Sequence, residues 1–245
     1  MFRHKGKGRT LKHNLRIASV LSFVAGIVNV AGFLSVQRLT TNVTGHFAFF
    51  VDEVFQLNFW KGFIYFMYIL FFFLGSFTSN AIIEIGSRKK NNYVYTIPVL
   101  IETLILFIIS FFGSYLIEKN PNILAFALLF AMGLQNSLVT SISNAAVRTT
   151  HLTGLFTDLG IDLSQLFFQQ EKEKSQLKAS IKLRLTIIAY FFIGGLVGGI
   201  FYSTITLGVL LIAATTLALG LVYDKLKLKI IRLTIRSKQK NKPTN

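Results

Sequence analysis

The sequence contains no cysteine and few charged residues. Of its 245 residues, 15% are charged, whereas a soluble domain usually carries about 25%. Without cysteine the chain has no disulfide framework, no thiolate metal site and no cysteine nucleophile. The low charge disfavours an ordinary globular enzyme, and the 52% hydrophobic content excludes a disordered chain. Acidic residues are also scarce, with 10 Asp and Glu against 26 Lys and Arg, which gives a formal net charge of +16.

Long apolar runs are what the sequence has instead. Six stretches are long and apolar enough to cross a bilayer, which takes about 20 residues. Lipid offers no partner to exposed backbone groups, so each run is predicted to be a helix. We therefore expect an all-α, polytopic transmembrane bundle with a retained first helix. The predicted spans are 17–36, 63–83, 95–117, 123–142, 185–202 and 204–222.

The basic residues predict the orientation of these spans. Of the 26 Lys and Arg, 23 fall in the segments 1–16, 84–94, 143–184 and 223–245. The other three, Arg38, Lys61 and Lys119, fall in the alternate loops. Because cytoplasmic loops are enriched in Lys and Arg, this split predicts six passes in the inner (plasma) membrane with both termini cytoplasmic.

The basic termini also predict a partner. Residues 225–232 mix basic and apolar side chains directly after the last span, which favours contact with anionic lipid headgroups over docking to a protein or nucleic acid. The predicted organisation is a basic N-terminus (1–16), a first membrane repeat (17–117), a second membrane repeat (123–222) and a basic tail (223–245). We expect no nucleic-acid partner, and a homo-oligomer stays possible.

The two halves of the chain resemble each other in three aligned blocks. Residues 23–29 align with 130–136, 40–45 with 149–154, and 72–76 with 191–195. Three crossings per half is an odd number, so the halves are predicted to lie in opposite orientations. Inverted repeats recur in secondary transporters, whose substrate site lies near the midplane at the repeat interface.

Each half also contains a short segment that begins at a Thr-Gly pair. The runs 45–57 and 154–168 are apolar but interrupted by carboxylates, and such short runs suit a re-entrant or interfacial helix. If both segments crossed the membrane, the protein would have eight passes and parallel repeats. The charge split would then be 21 against five, so six passes are favoured modestly.

Three motifs carry a family resemblance. Gly26-x-x-Asn29, the block NVTG at 42–45 and the block TGLFTDLG at 153–160 resemble the YoaK-like family of bacterial multipass inner-membrane proteins of uncharacterised function. The resemblance covers about residues 15–225 and implies an integral membrane protein without implying an activity. The family usually has Asp where Asn29 stands and Asn where His46 stands. An asparagine at position 29 cannot carry a proton.

Polar residues inside the apolar helices are the first candidates for a site. Asn29, Gln135 and Asn136 should face the bundle interior, because an unpaired polar group is costly in lipid. They serve either as hydrogen-bonding contacts between helices or as a site for a polar solute or ion. Glu102 is the deepest acid and has no counterpart in the other half, which predicts a functional role or a buried pair.

The Thr-Gly segments are the best candidates for a ligand site. Thr44-Gly45 and Thr153-Gly154 suit either the capping of a helix or the binding of an anion by helix N-terminal amides, since both use the same geometry. The acids that come after these Thr-Gly pairs are suited, together with His46 and His151, to a cation or proton site or to a polar interfacial face. Arg38 and Arg148 either pair with those acids or bind phosphate. The acids are Asp52, Glu53, Asp158 and Asp162.

These features predict a small secondary transporter or permease for an unidentified solute. One alternative is a membrane-embedded enzyme acting on lipids or isoprenoid phosphates, which is less favoured because the sequence shows no nucleophile–base pair. The other alternative is a non-catalytic assembly partner. No catalytic residue, cofactor or metal site is predicted, because the His and carboxylate spacing fits no metal template. The predicted substrate-binding residues are Asn29, Asn42, Thr44, Gly45, His46, Glu102, Gln135, Asn136, His151, Thr153, Gly154 and Asp158.

Overall fold

Every regular element in the described part of the chain is a helix. The computed structural model describes residues 10–89, 94–168 and 171–240, without the side chains of 171–173, 225 and 227–240. The predicted basic N-terminus up to residue 9, the centre of the loop 84–94 and most tail side chains lie outside this description. The helices are α1 Leu11–Val36, α2 Thr44–Phe55, α3 Phe59–Arg88, α4 Thr96–Lys119, α5 Pro121–Ser143, α6 Leu152–Phe168, α7 Glu171–Ile205 and α8 Leu210–Lys240, with a 3-10 turn at Thr206–Val209.

Five helical segments within the described residues are long and apolar enough to cross a membrane. This confirms the prediction of an all-α membrane protein. Four of them are α1, α3, α4 and α5, and the fifth is the 51-residue segment Lys174–Asp224, which includes most of α7, the 3-10 turn and the first half of α8. Phenylalanines on α3 such as Phe73 and Phe77 are 58% and 63% exposed, as expected for side chains that face lipid.

The described residues of the two Thr-Gly segments form helices that extend less than the thickness of the membrane. At 1.5 Å per residue, the 12 residues of α2 extend about 18 Å and the 17 residues of α6 about 26 Å. A hydrocarbon core is about 30 Å thick. Neither helix is among the candidate spans.

Glycines let helices of different halves pack at backbone distance. A Cβ added to Gly26 of α1 would lie 2.1 Å from the carbonyl oxygen of Phe191 in α7, and one added to Gly194 would lie 2.1 Å from that of Phe23. The same contacts join α3 and α5, where Gly75 lies against Phe130. The small residues around Gly194 therefore form a helix-packing surface.

These close pairs run in parallel. In α3 and α5, Tyr68 donates a hydrogen bond to Asn122, and twelve residues later Asn80 lies 3.4 Å from the hydroxyl of Ser141. In α1 and α7, Gly194 packs on Phe23 and Gly198 packs further along α1. The two halves make corresponding helix contacts when α1 to α4 are matched with α5 to α8. The packing of α1 on α7 corresponds to that of α5 on α3, α2 on α3 to α6 on α7, and α4 on α5 to α8 on α1.

Candidate functional site

Two hydrogen bonds hold the stretch after α1 and the stretch after α5 against the middle of those helices. The hydroxyl of Thr41 donates to Oδ1 of Asn29 at 2.7 Å, and Nδ2 of Asn136 donates to the hydroxyl of Thr150 at 2.6 Å. The four residues are related by the sequence repeat. The helices end in the same way as well, since Gln37 and Asn144 both have a φ of 54°.

A second pair of contacts lies deeper in each half. Thr40 donates to the carbonyl oxygen of Val28 at 3.0 Å. In the other half the amide of Gln135 donates to the hydroxyl of Thr149 at 3.0 Å and to the carbonyl oxygen of Leu21 at 3.1 Å. Gln135 is fully buried and does not line a described cavity. Its hydrogen bond to Leu21 joins α5 to α1.

A cavity of about 760 Å³ lies between the two Thr-Gly segments. Asn29 and Asn136 line it from α1 and α5, and Phe72 and Phe191 line it from α3 and α7. Helices of both halves thus contribute equivalent side chains to one space. Seven of the twelve predicted substrate-binding residues line it: Asn29, Asn42, Thr44, Gly45, Asn136, His151 and Thr153.

The first turns of α2 and α6 both border this cavity. In α2 the backbone N–H of Gly45 donates to Oδ1 of Asn42 at 3.1 Å, so the first-turn amide is satisfied by Asn42, which precedes the helix, and not by a threonine. The exposed hydroxyls of Thr44 and Thr153 make no hydrogen bond with the described residues. They are therefore available to a ligand.

A second cavity of about 460 Å³ adjoins the first and shares Arg148 and His151 with it. Gly154 and Asp158, two further predicted site residues, line it. Arg184 of α7 also lines this cavity.

Arg184 is a candidate site residue that sequence reasoning missed. It forms an ion pair with Asp158 at 3.3 Å and another with Asp162, both on α6. Of the two alternatives for Arg38 and Arg148, pairing with these acids is not seen among the described residues, because Arg184 takes that place on α6. The i, i+4 spacing of the two acids predicted that they share one face of a helix. Because α7 contains several basic residues, only the structure shows that Arg184 is the one that pairs with them.

Aromatic side chains occupy the corresponding region of the first half. Tyr65 stands where the repeat places Arg184, and the guanidinium of Arg38 lies 5.5 Å from its ring centroid. His46 is 2% exposed, lies 4.8 Å from the Tyr68 ring and hydrogen-bonds to the carbonyl oxygen of Leu39 at 2.7 Å. Burial lowers the pKa of His46, because desolvation penalises the charged ring. His46 thus lies in a packed cluster outside the central cavity.

Glu102 lies apart from both cavities. Its side chain is fully buried in α4, and neither carboxylate oxygen has a hydrogen-bond partner among the described residues. The predicted alternative of a buried pair is therefore not seen in the described part of the chain. An ionised carboxylate without a partner is expensive in apolar surroundings, so a buried acid of this kind is a candidate for a functional role.

The fold and the hydrophobic segments define an integral membrane protein built from helices. The chain belongs to the DUF1275 family of proteins of unknown function, whose model matches residues 17–223. It is similar to the UPF0700 transmembrane protein YoaK of Bacillus subtilis (strain 168), with 25% identity over 182 residues that cover 71% of this chain and 78% of that protein. This confirms the resemblance drawn from the sequence motifs. No solved structure matches the chain.

Proposed function

We propose that the protein is a small secondary transporter with six membrane crossings arranged as two inverted repeats. The observation that carries this proposal is the central cavity, because equivalent polar residues of both halves line it. A substrate site at the interface of two repeats is the recurring arrangement in secondary transporters. Counted along the helix at 1.5 Å per residue, Asn29 and Asn136 lie within about 5 Å of the centres of the predicted spans 17–36 and 123–142.

Several features support six crossings. The segment Lys174–Asp224 is 51 residues long, which is enough for two spans, and it is interrupted by the 3-10 turn at Thr206–Val209. The helix α2 is too short to span, and α6, with 17 described residues, is not among the candidate spans, so we take both as the re-entrant or interfacial segments. Only Asn120 separates α4 from α5, so these helices form a tight hairpin that joins the two repeats. Six crossings also give the 23-to-three split of basic residues, which favours cytoplasmic termini in the plasma membrane.

The two ends of the proposed transport pathway differ in how open they are. On the side of α6 and α7, the second cavity continues from the central one past Arg148 and His151. On the side of α2 and α3, the cluster of His46, Tyr65 and Tyr68 fills the equivalent region. Since the loop 143–184 is basic, we infer that the open side is cytoplasmic and that the aromatic cluster closes the outer side.

Reconstitution tests the transport proposal. Purified full-length protein in liposomes is expected to move at least one small solute from a panel of labelled organic acids, amines, amino acids and sugars. The double variant Asn29→Ala/Asn136→Ala is expected to lose that flux. Asn80→Ala is the matched control, because Asn80 is an exposed asparagine on α3 that does not line the cavity. If the wild type moves no solute of any class, or if the double variant transports normally, the proposal is wrong.

A further inference from the structure

We propose that the central cavity binds a small organic anion and that Arg148 contacts its carboxylate or phosphate group. This inference rests on the proposed transport function and names the substrate class of the same site. Arg148 is exposed, and it lines both the central cavity and the adjoining one. A solute that passes from one cavity to the other therefore passes Arg148.

The charge of Arg148 is uncompensated in the part of the chain that the structure describes. No carboxylate there lies within 4.0 Å of its guanidinium, and the two acids closest in sequence on α6, Asp158 and Asp162, pair with Arg184. Among the described residues that line the central cavity, none is acidic. A guanidinium beside a carboxylate-free cavity matches the geometry and charge of a carboxylate or phosphate.

The neutral polar groups of the cavity are suited to the same ligand. Because Oδ1 of Asn29 accepts from Thr41, its Nδ2 stays free to donate. Nδ2 of Asn136 donates one of its two N–H groups to the hydroxyl of Thr150, which leaves the second N–H to donate. The hydroxyls of Thr44 and Thr153 add two further donors.

The size of the cavity favours an organic anion over a halide. A volume of about 760 Å³ lies within the range of roughly 300–1,000 Å³ typical of small-molecule sites. Phe72 and Phe191 provide apolar walls that suit a carbon skeleton. The combination of one guanidinium, amide and hydroxyl donors and two phenyl rings fits a small carboxylate or phosphate ester.

Thermal unfolding of the purified full-length protein in neutral detergent tests this inference. The probes are lactate, succinate and glycerol 3-phosphate, compared with choline and glucose at constant ionic strength. The organic anions are expected to raise the unfolding midpoint of the wild type in a saturable way. In Arg148→Gln the apparent affinity is expected to fall about tenfold or more, the ratio for the loss of one hydrogen bond to a charged group. Arg148→Lys is expected to weaken binding less.

Arg38→Gln is the matched control, because Arg38 stacks on Tyr65 outside the cavity. This variant is expected to bind anions as the wild type does. Equal stabilisation of the wild type and Arg148→Gln would overturn the inference. Stabilisation by short-chain phosphatidylglycerol alone would also overturn it, because the anion would then be a lipid headgroup.

The two proposals fail separately. If liposomes carrying the protein move choline or glucose but no organic anion, the anion inference is wrong and transport stands. If anions bind in an Arg148-dependent manner but no solute of the panel crosses, transport is wrong and the anion site stands.

Discussion

Gly75 and Phe130 are in backbone contact across the interface between α3 and α5. A Cβ at Gly75 would lie 2.1 Å from the carbonyl oxygen of Phe130, and the repeat-related Gly194 has the same relation to Phe23. A distance below 3.0 Å requires the backbone of one helix to move. The two glycines therefore fix how closely the halves of the protein approach each other.

We expect Gly75→Ala to destabilise the protein by about 1–3 kcal/mol, the usual cost of overpacking a well-packed contact. The midpoint of thermal unfolding in detergent measures this. Gly160→Ala is the matched control, since nothing lies within 4 Å of a Cβ there. In the middle of α6, alanine is expected to leave stability unchanged or raise it by up to about 1 kcal/mol. Equal midpoints for the two variants would contradict the packing role of Gly75.

Thr44→Val and Thr153→Val are expected to impair transport to a similar degree, because the repeat places both hydroxyls on the cavity. Each is expected to weaken solute affinity about fivefold, which corresponds to a hydrogen bond of about 1 kcal/mol. Flux in liposomes as a function of solute concentration measures this.

Stability separates ligand binding from helix capping at these threonines. Neither hydroxyl bonds to the described residues, so the unfolding midpoints of both variants are expected to stay unchanged. Thr215→Val is the control, since Thr215 is exposed and bonds only to its own helix. Normal transport by both variants would remove these hydroxyls from the solute site.

Glu102→Gln is expected to fold normally and to transport poorly. A neutral amide of the same shape fits a buried position where the carboxylate has no described partner, so the unfolding free energy should stay within about 1 kcal/mol of the wild type. An amide cannot exchange a proton, so the flux and its dependence on pH are expected to fall together. Glu118→Gln, at the exposed end of α4, should change neither. Full activity with an unchanged pH profile in Glu102→Gln would exclude this acid from the mechanism.

The absence of cysteine makes the topology directly testable. We expect a single cysteine at Asn91, which lies outside the described residues, to react with a membrane-impermeant thiol reagent only after the cells are permeabilised. A cysteine at Lys61, at the exposed start of α3, is expected to react in intact cells. If α2 and α6 crossed the membrane, the two results would be reversed, because each site would lie on the opposite side. The pair therefore separates six passes from eight.

The long helices and seven of the residues that line the cavity were predictable from the sequence because both follow from local patterns. Apolar runs predicted the long apolar helices, and the aligned blocks 23–29 and 130–136 lie where helices of the two halves pack against each other. Asn29 and Asn136 lie in those blocks, so equivalence in sequence predicted convergence in space.

Contacts that depend on side-chain choice between neighbouring helices were not predictable. Arg184 pairs with the acids of α6 because α7 packs against that helix, and the packing decides among several basic residues. Gln135 is adjacent to Asn136, but one residue of helix rotation turns its amide away from the cavity and onto Leu21. The first-turn amide of Gly45 bonds to Asn42 and not to a threonine, since the side chain of Asn42 reaches forward over the start of α2.

The glycine contacts also decide which parts of the molecule can move as units. Each close pair takes one helix from each half, so α1 is joined to α7 and α3 to α5. The cavity lies where these two pairs face each other, with Asn29 and Phe191 on one side and Asn136 and Phe72 on the other. We therefore expect these mixed pairs to be the rigid bodies of the proposed transporter, so that the boundary between the moving parts differs from the boundary of the sequence repeat.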